Sequence, residues 1–115
     1  MALAEALLEL QELTERLRRD CPWDREQTAK TIVPHTVEEA YEVADAAWAG
    51  DDSKLLDEIG DLLFQSFFLA LLLQERGAGD LEQAQLLAAE RGDDWGSLDL
   101  ESQDRYYELA KEHAT

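Results

Sequence analysis

The sequence has little cysteine, proline, glycine or positive charge. Its one cysteine, Cys21, excludes an intrachain disulfide framework and favours a reducing compartment such as the cytoplasm. Two prolines, six glycines and few β-branched residues argue against a sandwich or barrel of strands and favour helices. Ten lysines and arginines oppose 27 aspartates and glutamates, which gives a net charge of −17. Such a chain repels phosphate backbones and anionic membranes, so we expect neither nucleic acid nor a membrane as a partner.

What the sequence does contain is enough apolar surface for one compact domain, which we expect to span residues 1–115. The hydrophobic share of 45% is too high for a disordered acidic tail. The N-terminus has acids within its apolar stretch and no basic region before it, so it is not expected to be a signal peptide. Apolar residues at helical spacing predict an all-α bundle of about four to five helices. The predicted helices span residues 3–19, 36–48, 54–76, 81–90 and 100–113.

The breaks between these helices are predicted from proline, glycine and capping residues. Pro22 and Pro34 each indicate a break, and Asp24 is placed to cap a short turn. Glycine-rich segments predict loops at residues 50–53 and 92–96. Thr36 and Glu39 have the spacing of a capping box, which would give Glu39 a structural role.

The most informative segment is the acidic run from Glu38 to Glu42. At about 100° per residue, Glu38 and Glu42 lie beside the apolar stripe of their helix, and Glu39 lies farther round, next to Glu42. We expect that stripe to face the core. It consists of Val37, Ala40, Tyr41, Ala44 and Trp48.

A second acidic pair, Glu58 and Asp61, lies one short loop later. It shares a helix flank with Lys54 and Gln65, beside a face that includes Leu55, Ile59, Leu62, Leu63 and Ser66. A short loop makes the two helices antiparallel neighbours, so both acidic flanks can face one cleft. Carboxylates without thiolates or imidazoles suit Mg²⁺ or Mn²⁺. The alternative is a solvated acidic face without a metal.

The apolar segment Leu62–Leu73 is too short to span a membrane, which takes about 20 residues. A helix that is apolar all round is buried all round. We therefore expect a second copy of the chain to cover it, with Phe64 and Phe68 at the subunit interface.

Several segments together resemble one known family. They are Cys21–Asp24, Glu26–Thr28, Val33–Pro34, Glu38–Glu42 and Glu58–Gln65. The combination, running from about Leu8 to Gly77, is similar to the MazG-like nucleoside triphosphate pyrophosphohydrolases of the all-α NTP pyrophosphatase superfamily. The resemblance implies a helical bundle completed by dimerisation or higher assembly. It also implies Mg²⁺-dependent hydrolysis of NTPs or dNTPs to a nucleoside monophosphate and pyrophosphate, in nucleotide-pool house-cleaning.

The resemblance also implies roles for individual residues. Glu39, Glu42, Glu58 and Asp61 match the metal ligands of the family. Glu38 matches a residue that binds metal or activates water, and helical geometry leaves open which of Glu38 and Glu39 is the ligand and which is the base.

The C-terminal third departs from the family, because a basic, histidine-containing stretch is missing. The cations left to bind the triphosphate are Lys54, Arg91 and Lys111. Lys54 can instead pair with Glu58, and Lys111 can be a surface residue. Trp23 can stack on a nucleobase or pack as a buried corner residue.

Two other functions remain open on the sequence alone. One is a narrower member of the superfamily that acts on dUTP, dCTP or phosphoribosyl-ATP. The other is a non-catalytic dimer that senses a metal or a nucleotide, which the missing basic stretch favours. Release of pyrophosphate with Mg²⁺ but not with EDTA separates the enzymes from the sensor.

Overall fold

The chain is helical throughout the part that the structure describes, which confirms the all-α prediction. The computed structural model describes residues 2–113, with the side chains of all of them except Trp95, Tyr106 and residues 109–113. Two compact units are present, Met1–Leu81 and Glu82–Thr115. The described residues form six helices and no strand. The helices are α1 (Ala2–Asp20), α2 (Pro22–Glu26), α3 (Ala29–Ala49), α4 (Asp52–Glu75), α5 (Leu81–Ser97) and α6 (Leu100–His113).

The turn after α1 is tighter than predicted. Pro22 occupies the first turn of the short helix α2, where its missing N–H is not needed, and Cys21 precedes it as the N-cap. Asp24 therefore lies inside α2, where it is buried, and the prediction that it caps the turn was wrong. Thr28 is the residue that begins α3, through a reciprocal capping box with Thr31.

Helix α3 continues through Pro34, so the predicted break at this residue was wrong. A proline in a helix removes one backbone hydrogen bond, and here the Thr28 box has already fixed the first turn. The capping box predicted for Thr36 and Glu39 is absent, because α3 begins at Ala29 and both residues lie well inside the helix. Residues 92–96, predicted as a loop, are the last turns of α5.

The core of the first unit lies where α4 packs against α3 and α1. Phe68 has no exposed surface and clusters with Ile32 and Leu72, and Phe64 packs partly buried against this cluster. The placement of Phe68 at a subunit interface was therefore wrong. The chain itself encloses this half of α4, because α1 and α3 both pack on it.

The apolar stripe that we expected to face the core from α3 faces outward instead. Tyr41 is 62% and Trp48 is 90% exposed, and Val37 is also exposed. On α4, Ile59 and Leu63 are exposed as well, although both were expected on the core face. The physical reason is that α3 has a second stripe of residues, which includes Ile32 and Ala46, and α4 packs against that stripe. No helix among residues 2–113 is long and apolar enough to cross a membrane.

Candidate metal centre

The site is built into the seam between α3 and α4. The residues of α3 that turn toward α4 are buried or half-buried and recur at alternating intervals of three and four, as in a coiled coil. They are Ala29, Ile32, Thr36, Glu39, Val43 and Ala46. Glu39 thus lies in the inward stripe rather than farther round the helix, which corrects our reading of the helical wheel.

The facing stripe of α4 has the same alternating spacing, and polar residues interrupt its apolar residues in the same way. Its half-buried or buried members are Leu55, Glu58, Leu62, Gln65, Leu69 and Leu72. Between the apolar ends of the seam, Thr36 Oγ1 donates a hydrogen bond to Gln65 Oε1 over 3.0 Å. The seam therefore has a polar middle, and its acids come from both helices.

Three carboxylates meet at this polar middle. Glu39, Glu58 and Asp61 each offer an oxygen, and these oxygens all lie within 4.8 Å of one another. Glu39 and Glu58 are half-buried and Asp61 is exposed, so the cluster opens to solvent on the Asp61 side. The pairing of α3 with α4 predicted from the short connection is what brings them together.

Two oxygens of this cluster are buried and receive no hydrogen bond from any residue that the structure describes. They are Glu39 Oε2 and Glu58 Oε2. A buried acceptor with no partner costs free energy, and the cost is larger for a carboxylate than for a neutral group. A divalent cation bound by these oxygens would supply the missing positive partner. The donor set, oxygen only, fits Mg²⁺ or Mn²⁺.

The proximity of the acids raises their pKa values. For Glu58 the contact with Glu42, followed by burial and the contact with Glu39, raises the pKa from 4.5 to about 7. For Glu39, burial is the largest cause of the raised pKa, and the charges of Glu42 and Asp61 add to it. Strongly perturbed carboxylates grouped in a cleft are typical of functional sites.

The other two predicted acids lie at the margin of the cluster. Glu42 is exposed, and it is close enough to raise the pKa of both Glu39 and Glu58. Glu38 is outside the cluster, with its side chain 72% exposed and one carboxylate oxygen 4.0 Å from Nδ1 of His35. The structure therefore brings together Glu39, Glu58 and Asp61, with Glu42 beside them.

The predicted substrate-binding residues are dispersed. Lys54 is exposed in the first turn of α4, one turn before Glu58, and among the described side chains its ammonium pairs with no carboxylate. Arg91 is exposed on α5 in the second unit, and the side chain of Lys111 lies outside the described residues. Trp23 is 51% exposed, so its reading as a buried corner residue was wrong.

The sequence reading missed two neighbours of the site. One is the hydrogen-bonded pair Thr36 and Gln65, and the other is His35, whose ring meets that of Trp23. The spacing of Ile32, Thr36, Glu39 and Val43 could have revealed the first, because it continues the inward stripe. His35 has no signal of its own in the sequence.

Three comparisons with known proteins agree. Residues 27–101 match the MazG nucleotide pyrophosphohydrolase domain. The chain is 51% identical over 71 residues to a nucleoside triphosphate pyrophosphohydrolase of Escherichia coli (strain K12), a match that covers 59% of this chain and 27% of the relative. It is 40% identical over 76 residues to the nucleoside triphosphate pyrophosphohydrolase/pyrophosphatase MazG of Thermotoga maritima, covering 64% and 30% of the two chains.

A solved structure extends the similarity beyond the acidic helices. The crystal structure of a mazG-related protein from Thermotoga maritima superposes with a TM-score of 0.69 at 29% identity, covering 90% of this chain and 97% of the other. By contrast, the chain spans under a third of the length of the curated relatives just described. The similarity to those relatives is thus that of a domain.

Proposed function

Because the chain belongs to the MazG nucleotide pyrophosphohydrolase domain family, we propose that it hydrolyses nucleoside triphosphates at the bond between the α and β phosphates. The products are a nucleoside monophosphate and pyrophosphate. The observation that carries the proposal is the cluster of Glu39, Glu58 and Asp61, with its two buried, unpartnered oxygens. A −17 chain also needs a cation between itself and a polyphosphate.

The cation that fits the cluster is Mg²⁺, with Mn²⁺ as a substitute. Glu39, Glu58 and Asp61 would hold it, and Glu42 is near enough to complete the set from the solvent side. When bound, such an ion neutralises phosphate charge and lowers the pKa of a coordinated water. The protein contributes a fixed set of oxygens, because both helices present them from the seam rather than from a loop.

Glu38 is the residue that we propose as the general base. Glu38 directly precedes Glu39 and lies about 100° round α3 from the inward stripe. Its carboxylate is therefore outside the cluster and can accept a proton. A carboxylate placed there orients a water toward the α-phosphorus and accepts its proton. Replacement by glutamine would retain the shape and remove the basicity.

We propose few positively charged side chains to bind the β and γ phosphates. Lys54 is the best placed, because among the described side chains its ammonium pairs with no carboxylate, and because Lys54 is one helical turn from Glu58. A lysine there would donate a charge-assisted hydrogen bond to a phosphate oxygen, which a neutral side chain cannot replace. Arg91 and Lys111, which belong to the second unit, are the remaining candidates from the sequence.

We further propose that the chain acts as a homodimer. Trp48, Tyr41 and Val37 on α3 form an exposed apolar stripe, and Ile59 and Leu63 add an exposed apolar patch on α4. The acids Glu38, Glu42 and Asp45 flank the α3 stripe rather than lie within it, so the stripe itself offers a second chain an apolar contact. Gly60, beside Ile59, has open space where a Cβ would lie, which permits close approach of another helix.

Nucleotide-pool house-cleaning in the cytoplasm is the physiological role that we propose. The test is release of pyrophosphate from a panel of NTPs and dNTPs, including oxidised and deaminated ones, with Mg²⁺ and with EDTA. Glu39→Gln should abolish the release and Asp57→Asn, an exposed acid of the same helix, should leave it intact. Binding of nucleotide without any turnover would instead assign the chain to a sensor, and turnover of one substrate alone to a narrower enzyme.

A further inference from the structure

The turn formed by α2 is held rigidly although it is short. Arg18 Nη1 donates hydrogen bonds to the carbonyl oxygens of Asp24, Arg25 and Gln27 at 2.6, 3.0 and 2.9 Å. Gln27 Nε2 donates to the carbonyl oxygen of Trp23 over 3.0 Å. The backbone that carries the Trp23 indole is therefore fixed against α1 and against the start of α3.

The side chain on this fixed backbone is half exposed. The Trp23 and His35 rings have centroids 5.5 Å apart and planes inclined by 74°, so their edge-to-face contact forms a corner. Trp23 is 51% exposed, and the His35 side chain is 49% exposed. Neither ring is buried in the core, although the indole is the largest side chain of the turn. A rigidly mounted, open aromatic surface of this kind is suited to bind a planar ligand.

The corner lies next to the acidic cluster in the same compact unit. His35 Nδ1 is 4.0 Å from an oxygen of Glu38, and Glu38 precedes the cluster member Glu39 directly in the chain. His35 and Glu39 are four positions apart on the helix, which is about 6 Å along the axis. Within α3, His35, Glu38 and Glu42 form one ridge that leads from the aromatic corner to the acids.

We propose that Trp23 and His35 bind the nucleobase of the nucleoside triphosphate, a proposal that rests on the proposed function of the acidic cluster. A nucleotide has one strongly charged end and one planar, neutral end. The acids with their cation suit the charged triphosphate end, and the aromatic corner suits the planar base. A single ribose joins the α-phosphate to the base, so the two ends occupy neighbouring parts of the site.

The chemistry of the corner also predicts its selectivity. Ring faces contact any base, because every base has a π surface. The larger ring system of a purine covers more of the indole than a pyrimidine does. The site should therefore accept all common bases and favour purines through KM rather than kcat.

The test compares substrates with and without a base. Trp23→Ala should raise KM for nucleoside triphosphates about tenfold, the loss of one base–aromatic contact, while kcat stays nearly constant. Hydrolysis of methyl triphosphate, which has no base, should be unchanged. Trp23→Phe and His35→Phe should keep most of the affinity, and His35→Ala should lose part of it. Equal loss with both substrates, or a fall in kcat alone, would overturn the proposal.

Fluorescence separates this proposal from the activity itself. Addition of adenosine, which has a base but no phosphate and therefore needs no cation, should quench the indole emission in EDTA. Trp23→Phe should remove that quenching whereas Trp48→Phe should not. If the wild type releases no pyrophosphate but shows this quenching, base binding stands and the proposed hydrolysis fails. If Trp23→Ala changes the mass measured by light scattering, the corner is a subunit contact and base binding is wrong.

Discussion

The guanidinium of Arg18 and the carboxylate of Glu75 form a paired contact between residues 57 positions apart. Nε lies 2.9 Å from Oε2, and Nη2 lies 2.9 Å from Oε1. The same guanidinium lies over the Phe68 ring, 5.9 Å from its centroid. Arg18 thereby joins α1 to the end of α4 and, through the carbonyls of α2, to the turn that carries Trp23.

We predict that Arg18→Lys lowers the free energy of unfolding by about 1.5–3 kcal/mol, the range for hydrogen bonds to charged groups. A lysine has no planar fork, so it cannot bond both carboxylate oxygens and the carbonyls at once. Chemical denaturation of the variant measures the loss. Arg19→Lys is the matched control, because Arg19 is exposed and pairs with its exposed neighbour Asp20. Equal stability of the two variants would contradict the prediction.

The stability of the metal-free protein should fall as the pH rises through about 7. Glu58 has a pKa of about 7 in the folded chain, above its ordinary value of 4.5, so the folded state binds more protons than the unfolded state. The stabilising contribution is complete below about pH 4.5 and is lost as Glu58 ionises.

Thermal unfolding against pH in EDTA tests this dependence. The difference in Tm between the wild type and Glu58→Gln should shift in favour of the variant as the pH rises. Asp57→Asn, which replaces an exposed neighbour on the same helix, should run parallel to the wild type. A constant difference between wild type and Glu58→Gln would show that the carboxyl titrates normally.

Binding of Mg²⁺ should release protons near neutral pH. The raised pKa values of Glu58 and Glu39 mean that part of the cluster is protonated before the ion binds. Calorimetric titrations in buffers of different ionisation enthalpy count these protons, and affinity should weaken below pH 7. Asp61→Asn should remove both the heat and the Mg²⁺-dependent rise in Tm. A proton count of zero at pH 7 would argue against a metal in this cluster.

Charge placed on the exposed α3 stripe should separate the proposed dimer. Tyr41→Glu puts a carboxylate where two apolar stripes would meet, and burying it unpaired is costly. Sedimentation should therefore give half the wild-type mass, with the helical content retained because Tyr41 is exposed in the single chain. Leu86→Glu, at an exposed leucine of α5, is the control. A dimeric Tyr41→Glu protein would place the interface elsewhere.

The sequence predicted the helical class, the pairing of α3 with α4 and the acids that meet between them, because all three follow from short-range spacing. It did not predict which of two stripes on α3 turns inward. The outward stripe is the more hydrophobic one, with Tyr41 and Trp48, whereas the inward stripe includes Thr36 and Glu39. Periodicity alone favours the more hydrophobic stripe, and a single chain does not bury it.

Phe68 illustrates the same limit on α4. We expected Phe68 at a subunit interface and Ile59 on the core face, but Ile59 is exposed and Phe68 is the fully buried residue. Pro34 illustrates another limit. Its effect depends on whether an earlier residue has already begun the helix, and Thr28 does so through hydrogen bonds that no single residue type reveals.

The connection between α3 and α4 consists of Gly50 and Asp51 alone, with Gly50 at φ 69° and Asp51 capping α4 through the amide of Lys54. A connection of two residues leaves little freedom to shift one helix relative to the other. One inserted residue would turn α4 by about 100° or slide it by about 1.5 Å relative to α3. Glu58 would then leave the seam, although no acid had been changed. The length of this link is thus as important to the site as the acids that it aligns.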